Sequence, residues 1–327
     1  MKATAVACAN IAIVKYWGRL DDDLNLPLAG SLSMTVDALR TTTTVELDDG
    51  LKDDVLTVNG KLAEGKPRWR VAKHLDALRE RAGQEARCRV TSENSFPQGA
   101  GMASSASAFA ALTVAGAAAM DLHVEPWELS ALARLGSGSA CRSVFGGFVE
   151  WVAGARHEDS FARQIAPEGH MDLRDVVVVV GTEEKAVGST EGHSLARTSP
   201  FLDARLAHMH ESVSLARAAV LERDFEALGR IAEMDALSMH AVMMTSEPPL
   251  FYWKPETLRV LDAVRRWRED GLHAWYTLDA GPNPHILCPG EAEQEVRKRI
   301  RDLGIADGQV LSCKAGPGPR LTSKHLH

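Results

Sequence analysis

The stretch Ser92-Glu-Asn-Ser-Phe-Pro-Gln-Gly-Ala-Gly-Met-Ala-Ser-Ser-Ala-Ser-Ala-Phe109 constrains this chain more than any other. A polar turn carrying Pro97, Gly99 and Gly101 runs directly into an Ala-rich segment of high helix propensity. Glycines let the backbone bend with its N–H groups inward, and the following helix adds unpaired N–H groups and the positive end of its dipole. Together they can seat phosphate oxygens. The hydroxyls of Ser104 and Ser105 fall in the first turn, within reach of a bound metal. No Gly-Lys-Ser/Thr follows the glycines, which excludes the P-loop of the common NTPases. Taken alone, the same residues also make a plain loop and helix cap, so other segments must decide.

The 327 residues suffice for one large or two medium domains with a sizeable core. At 45% hydrophobic and 25% charged, the composition is that of ordinary soluble globular protein. A net charge of −7 argues against a nucleic-acid footprint, though an anionic substrate can still find a local basic pocket. No basic-then-apolar leader and no apolar run of about 20 residues is present, so no membrane association is expected. The five cysteines (Cys8, Cys88, Cys141, Cys288, Cys313) are scattered and lack CxxC spacing. They read as reduced thiols in a cytoplasmic protein.

Thr4–Val14 reads as a buried strand leading into Lys15-Tyr16-Trp17-Gly18, followed by strands at Leu32–Val36, Thr41–Leu47 and Val55–Val58. Trp69–Arg81 has helical spacing and a glycine stop at Gly83. A short strand at Arg87–Thr91 feeds the Gly-rich turn, and helices to about Met120 and from Pro126 to Gly136 come next. Phe148–Val152 and the valine run Val176–Val180 are strands, the second centrally buried. Helices are predicted over Asp203–Leu221, Phe225–Met243, Pro255–Arg268 and Glu291–Leu303, with strands at His273–Leu278, Ile286–Cys288 and Val310–Lys314. Without strict βαβ alternation, α+β is favoured over a doubly wound sheet, with a boundary near Gly181.

Several residues can carry chemistry. Lys15 ends an apolar strand beside Asn10, Tyr16 and Trp17: either a snorkelling surface lysine or a cation held near a carboxylate or phosphate. Arg142 follows Gly136-Ser137-Gly-Ser139-Ala-Cys, and its planar fork suits a bidentate grip on a carboxylate. Asp279 leaves a strand onto a Gly-Pro turn, as a turn former or as a general base beside a cation. The loop Lys185–His193, with Ser189 and Thr190, is either ligand-facing or a helix cap. The twelve histidines form no HxxxH or HExxH pattern, and Trp253, Trp275 and Met239–Met244 read as core.

Five separated segments together resemble the mevalonate diphosphate decarboxylase family of the GHMP kinase superfamily. They are Ala9-Asn-Ile-Ala-Ile-Val-Lys-Tyr-Trp-Gly18, Phe96–Ala106, Gly136-Ser-Gly-Ser-Ala-Cys-Arg-Ser143, Ser189-Thr-Glu-Gly192 and Asp279-Ala-Gly-Pro-Asn283. Ala315-Gly-Pro-Gly318 resembles the superfamily's last glycine motif. The resemblance implies an N-terminal ribosomal-protein-S5-like domain (1–181), a ferredoxin-like C-terminal domain (182–327) and a cleft between them. It also implies ATP and Mg2+ as cofactors and a homodimer. The implied reaction phosphorylates the 3-hydroxyl of mevalonate 5-diphosphate, then loses phosphate and CO2 to give isopentenyl diphosphate. By the same resemblance Asp279 is the base or orienter, Lys15 its cationic neighbour that keeps it ionised, and Arg142 the grip on the substrate carboxylate. Gly99, Ala100, Gly101, Met102, Ala103, Ser104 and Ser105 would wrap the ATP phosphates, with Ser105 near the metal. Ser137 and Ser139 would support placement, Tyr16, Arg19 and Ser189 would lie near the substrate's phosphorylated tail, and Thr190 would bind substrate.

The chain departs from the family pattern at four places, three of which (Arg19, Gly188 and His193) fall on the motifs implied around that tail. Arg19 stands where lysine is usual, Ala29-Gly30-Ser31 replaces Asn-Ser-Ser, Val187-Gly188-Ser189 replaces Val-Ser-Ser, and His193 replaces methionine. His193 can donate there only in a suitable tautomer or when protonated. Mevalonate 5-phosphate is therefore an alternative substrate. A small-molecule kinase stopping at the 3-phosphate and a non-catalytic binding module on the same fold are the alternative classes.

Overall fold

The structure is a computed structural model and describes residues 1–96, 104–181 and 187–327, residue 104 by its backbone alone. In chain order it contains β1 (Lys2–Val14), β2 (Arg19–Asp21), β3 (Leu26–Pro27), β4 (Ser31–Leu47), β5 (Val55–Val58), β6 (Lys61–Ala63), α1 (Gly65–Ala82) and β7 (Cys88–Asn94). Then come α2 (Ser104–Ala119), α3 (Pro126–Gly136), a 3-10 turn (Gly138–Val144), β8 (Phe148–Trp151), β9 (Ala162–Ala166) and β10 (Leu173–Val178). The remainder is α4 (Ser189–Leu195), α5 (Leu202–Glu222), α6 (Phe225–Met244), α7 (Pro255–Glu269), β11 (Trp275–Thr277), β12 (His285–Pro289), α8 (Glu293–Asp302), β13 (Val310–Lys314) and β14 (Arg320–Thr322). The class is α+β, as expected.

The first sheet runs β14-β1-β4-β7-β5-β6, with β8 also on β4 and β9 on β8. β4 is one strand where the sequence suggests two. Arg40 is exposed and Asp37 and Ala38 only half-buried, so the alternation lapses mid-strand. The β1–β4 register also shifts between Cys8 and Asn10. The two halves of β4 take different partners, β8 at Ser31–Met34 and β7 at Thr41–Leu47. α2 lies on this sheet with almost no polar face, as a helix buried on most sides must. A methyl group at Gly116 would stand 2.7 Å from Leu78 Cδ1, so α1 and α2 touch through the glycine.

The second sheet is antiparallel, β11-β12-β10-β13, with α6, α7 and α8 packed against it. Its centre is the valine run, and all three valines of β10 are fully buried. Val177 faces the core shared with β1, β4 and α5, while Val176 and Val178 face α7 and α8. Both faces of the strand are covered, hence the lack of alternation. β10 precedes residue 181 yet belongs to this sheet, and β14 returns the chain to the first one. No helix among the described residues is long and apolar enough to cross a membrane.

Candidate active site

Where β1 ends, Lys15 turns inward. Its Nζ lies 2.8 Å from Asp279 Oδ1, and its side chain is 2% exposed against 28% for the carboxylate. A buried ammonium requires such a partner. Asp279 follows β11, so the pair joins the first sheet to the second. The site is fixed from below by α5 and α6. Lys15 N–H donates to Asp235 Oδ2 (2.6 Å), and Arg205 donates to the Lys15 carbonyl (3.2 Å) and pairs with Asp235 (3.0 Å). His240 Nε2 contacts the Asp279 carbonyl oxygen at 3.1 Å. Burial pulls the His240 pKa down to about 3, so the ring is neutral and, facing an acceptor, carries its proton on Nε2.

Arg142 lies in the 3-10 turn and is 3% exposed. Its Nη1 donates to Ser31 Oγ (2.7 Å), and Nη2 and Nε donate to Asn10 Oδ1 (3.0 and 3.3 Å). Asn10 is itself held by its amide bonds to Ser143 Oγ (2.8 Å) and the Ser139 carbonyl (3.1 Å). The fork is thus oriented in advance, and one N–H on each terminal nitrogen remains available among the described residues. Trp151 lies under the guanidinium at 5.8 Å.

The small residues before Arg142 have a steric reason. A Cβ at Gly138 would meet Tyr16 Cε1 at 2.7 Å, and one at Gly136 would overlap the Phe109 ring. Ser137 Oγ bonds Ser105 Oγ at 3.2 Å and approaches Ser139 Oγ at 3.4 Å. Beside Ser105 opens a cavity of about 220 Å³, lined by Leu56, Val58, Arg70, Asn94 and Phe109 among others. Arg70 lies over the Phe109 ring at 4.9 Å and donates to the Gly136 carbonyl.

At the other end Arg19 Nε donates to Tyr16 Oη (3.0 Å), and Arg19 Nη1 pairs with Asp22 (3.2 Å). The His193 ring packs, tilted, against Tyr16 (4.1 Å) and Trp17 (4.6 Å).

The structure therefore brings together Lys15, Tyr16, Arg19, Ser105, Ser137, Ser139, Arg142 and Asp279. Ser189 and Thr190 begin α4 and are exposed, with no hydrogen bond to Tyr16 or Arg19 among the described residues. Gly99, Ala100, Gly101, Met102, Ala103 and the loop residue Lys185 lie outside the described residues, as does the Ser104 side chain. Sequence reasoning missed Asp235, Arg205 and His240. A signal existed: Arg205 falls on the stripe Leu202, Met209, Val213, Ala216, and Asp235 on Leu228, Ala232, Met239, Val242. A charge on an apolar stripe is a buried charge seeking a partner.

An eight-stranded sheet beneath an Ala-rich helix, with a four-stranded antiparallel sheet covered by α6, α7 and α8, is the architecture of the GHMP kinase fold class. Solved structures agree: a complex of MDDEF with MVAPP, AMPPCP and magnesium superimposes with a TM-score of 0.93 at 36% identity, covering 99% of both chains. Residues 7–162 match the diphosphomevalonate decarboxylase-like N-terminal domain, and residues 175–316 the mevalonate 5-diphosphate decarboxylase C-terminal domain. The diphosphomevalonate decarboxylase of Candida albicans is 36% identical over 99% of each chain. A phosphomevalonate decarboxylase of Haloferax volcanii is also 36% identical, over 93% of this chain and 94% of its own. The chain belongs to the diphosphomevalonate decarboxylase family.

Proposed function

We propose that this chain is an ATP- and Mg2+-dependent decarboxylase of mevalonate 5-diphosphate, forming isopentenyl diphosphate, ADP, phosphate and CO2. The observation that carries the reading is the Lys15–Asp279 ion pair beside a pre-oriented Arg142. Asp279 accepts the proton of the 3-hydroxyl as that oxygen attacks the γ-phosphorus of ATP and the bond to ADP breaks. The 3-phosphate then departs with its C–O electron pair. The bond to the carboxylate supplies the pair for the new double bond, and CO2 leaves. Arg142 holds the carboxylate in line for that cleavage, and Lys15 offsets negative charge on the transferring phosphoryl group. The cavity beside Ser105 receives the nucleotide base, with Arg70 and Asn94 on its wall.

Mg2+ that binds through phosphate oxygens needs only one or two protein ligands, and the Ser105 hydroxyl, oriented by Ser137, fits that role. When bound, the ion neutralises phosphate charge. Tyr16, Arg19 and Ser189 are assigned to the substrate's tail, Thr190 to the substrate, and Gly99–Ser105 to the nucleotide phosphates. We place the protein in the cytoplasm as a homodimer. Of its two units, 1–181 and 182–327, the second is better drawn to include β10.

A second reading, the 5-phosphate as substrate, draws on Gly188, which offers no hydroxyl at the start of α4, and on the Haloferax relative. A diphosphate needs more donors than a monophosphate. Steady-state kinetics on mevalonate, its 5-phosphate and its 5-diphosphate decide between them. The diphosphate is expected to be preferred, and a kcat/KM at least tenfold higher for the monophosphate would reverse the choice, about 1.4 kcal/mol of transition-state binding.

A further inference from the structure

The departure at His193 has a definite geometry. Its ring packs against both Tyr16 and Trp17, at centroid distances of 4.1 and 4.6 Å, tilted by 32° and 33° to their planes. α4 sits so close to Trp17 that a Cβ at Gly192 would stand 2.6 Å from the indole. The Gly18 backbone N–H, presented at a φ of +90°, points at His193 Nδ1 from 3.0 Å. A backbone amide can only donate, so Nδ1 must hold a lone pair and the proton of the neutral ring sits on Nε2. Burial, reinforced by the Arg19 and Arg142 guanidiniums, also pushes the ring well below its ordinary pKa. His193 is 6% exposed, and Nε2 has no hydrogen-bond partner among the described residues.

We infer that His193, fixed as its Nε2–H tautomer by the Gly18 amide, donates an uncharged hydrogen bond to a phosphate oxygen of the substrate's tail, beside Arg19. This rests on the reading of the substrate as a phosphorylated mevalonate. It assigns the tail site one donor in place of the hydroxyl that Gly188 lacks. A methionine at this position would pack against the two aromatic rings but donate nothing.

The test uses His193→Met and His193→Gln, because a glutamine amide can place its N–H near the position of Nε2. KM and kcat are measured for mevalonate 5-phosphate and 5-diphosphate with saturating ATP and Mg2+, and melting temperature is recorded alongside. His193→Met is expected to raise KM for the preferred substrate about tenfold or more, the effect of losing a hydrogen bond to a charged group. Its kcat should stay within about threefold, since the lost contact is made in ground and transition states alike. His193→Gln is expected to recover most of that KM. An unchanged KM in His193→Met overturns the inference. So does an equal loss of kcat in both variants with a lowered melting temperature, which would make the ring a packing element only. If wild-type protein turns over neither phosphate, the functional reading fails and this inference fails with it. Wild-type turnover with an unaffected His193→Met overturns the inference alone.

Discussion

The Lys15 ammonium stands 2.8 Å from Asp279 Oδ1 although 264 positions separate the two residues in the chain. One comes from the end of a strand in the first sheet, the other from the turn after a strand in the second. This ion pair therefore exists only when both sheets are formed and docked.

Asp279→Asn removes the proposed proton acceptor but keeps an oxygen that can face Lys15. Turnover is expected to fall roughly 10²–10⁴-fold, the usual contribution of a positioned general base, with nucleotide binding nearly unchanged. Single-turnover kinetics with a fluorescent-nucleotide binding assay check this. Activity within tenfold of wild type would assign the proton to another group.

Arg142→Lys retains the charge but cannot reproduce a fork held at once by Ser31 and Asn10. Decarboxylation is expected to fall at least 100-fold, about 2.7 kcal/mol in the barrier. ATP cleavage should suffer less if the carboxylate grip matters most after phosphoryl transfer. Parallel ADP and CO2 measurements in the variant would show that divergence.

Arg205 and Asp235 hold the backbone of Lys15 from both sides. Both side chains are 3% exposed. Arg205→Met leaves a buried carboxylate without its cation and is expected to cost roughly 3–5 kcal/mol in unfolding free energy. The double variant Arg205→Met/Asp235→Leu should recover part of that, because the Lys15 amide would still lack its acceptor. Urea titrations of the single and double variants give the numbers.

His74, buried between α1 and α2 against Thr113, supplies a pH test away from the site. Burial, with help from Arg70, lowers its pKa to about 4. Below the ordinary value of about 6.5 the unfolded chain takes up a proton that the folded state refuses. Stability is therefore lost as pH falls from about 6.5 to about 4, on the order of 2 kcal/mol by pH ~5 from this ring. His74→Gln should lose correspondingly less between pH ~7.5 and ~5. An identical acid profile would remove His74 as a source of acid sensitivity.

Much of this was legible in the residues. α3 begins at Pro126 and ends at Gly136, and β13 spans Val310–Lys314, as the punctuation and pattern predict. The motifs around Lys15 and Asp279 also mark two residues that the structure pairs across the sheets. What stayed hidden depended on tertiary contact. β4 could not be recognised as one strand, because continuity across Arg40 comes from pairing with β1. The support of Lys15 by Asp235 and Arg205 is a contact between β1 and two distant helices, whose apolar period shows the buried face but not which backbone its charges meet. The tautomer of His193 follows from the Gly18 amide, which no local pattern reveals.

The central claim is that this site couples phosphoryl transfer to loss of CO2. The direct measurement is the stoichiometry of CO2 to ADP with mevalonate 5-diphosphate, ATP and Mg2+ under single-turnover conditions. One CO2 per ADP, with isopentenyl diphosphate as the product, is the predicted result. ADP formed without CO2, and a 3-phosphorylated acid accumulating in its place, would contradict it.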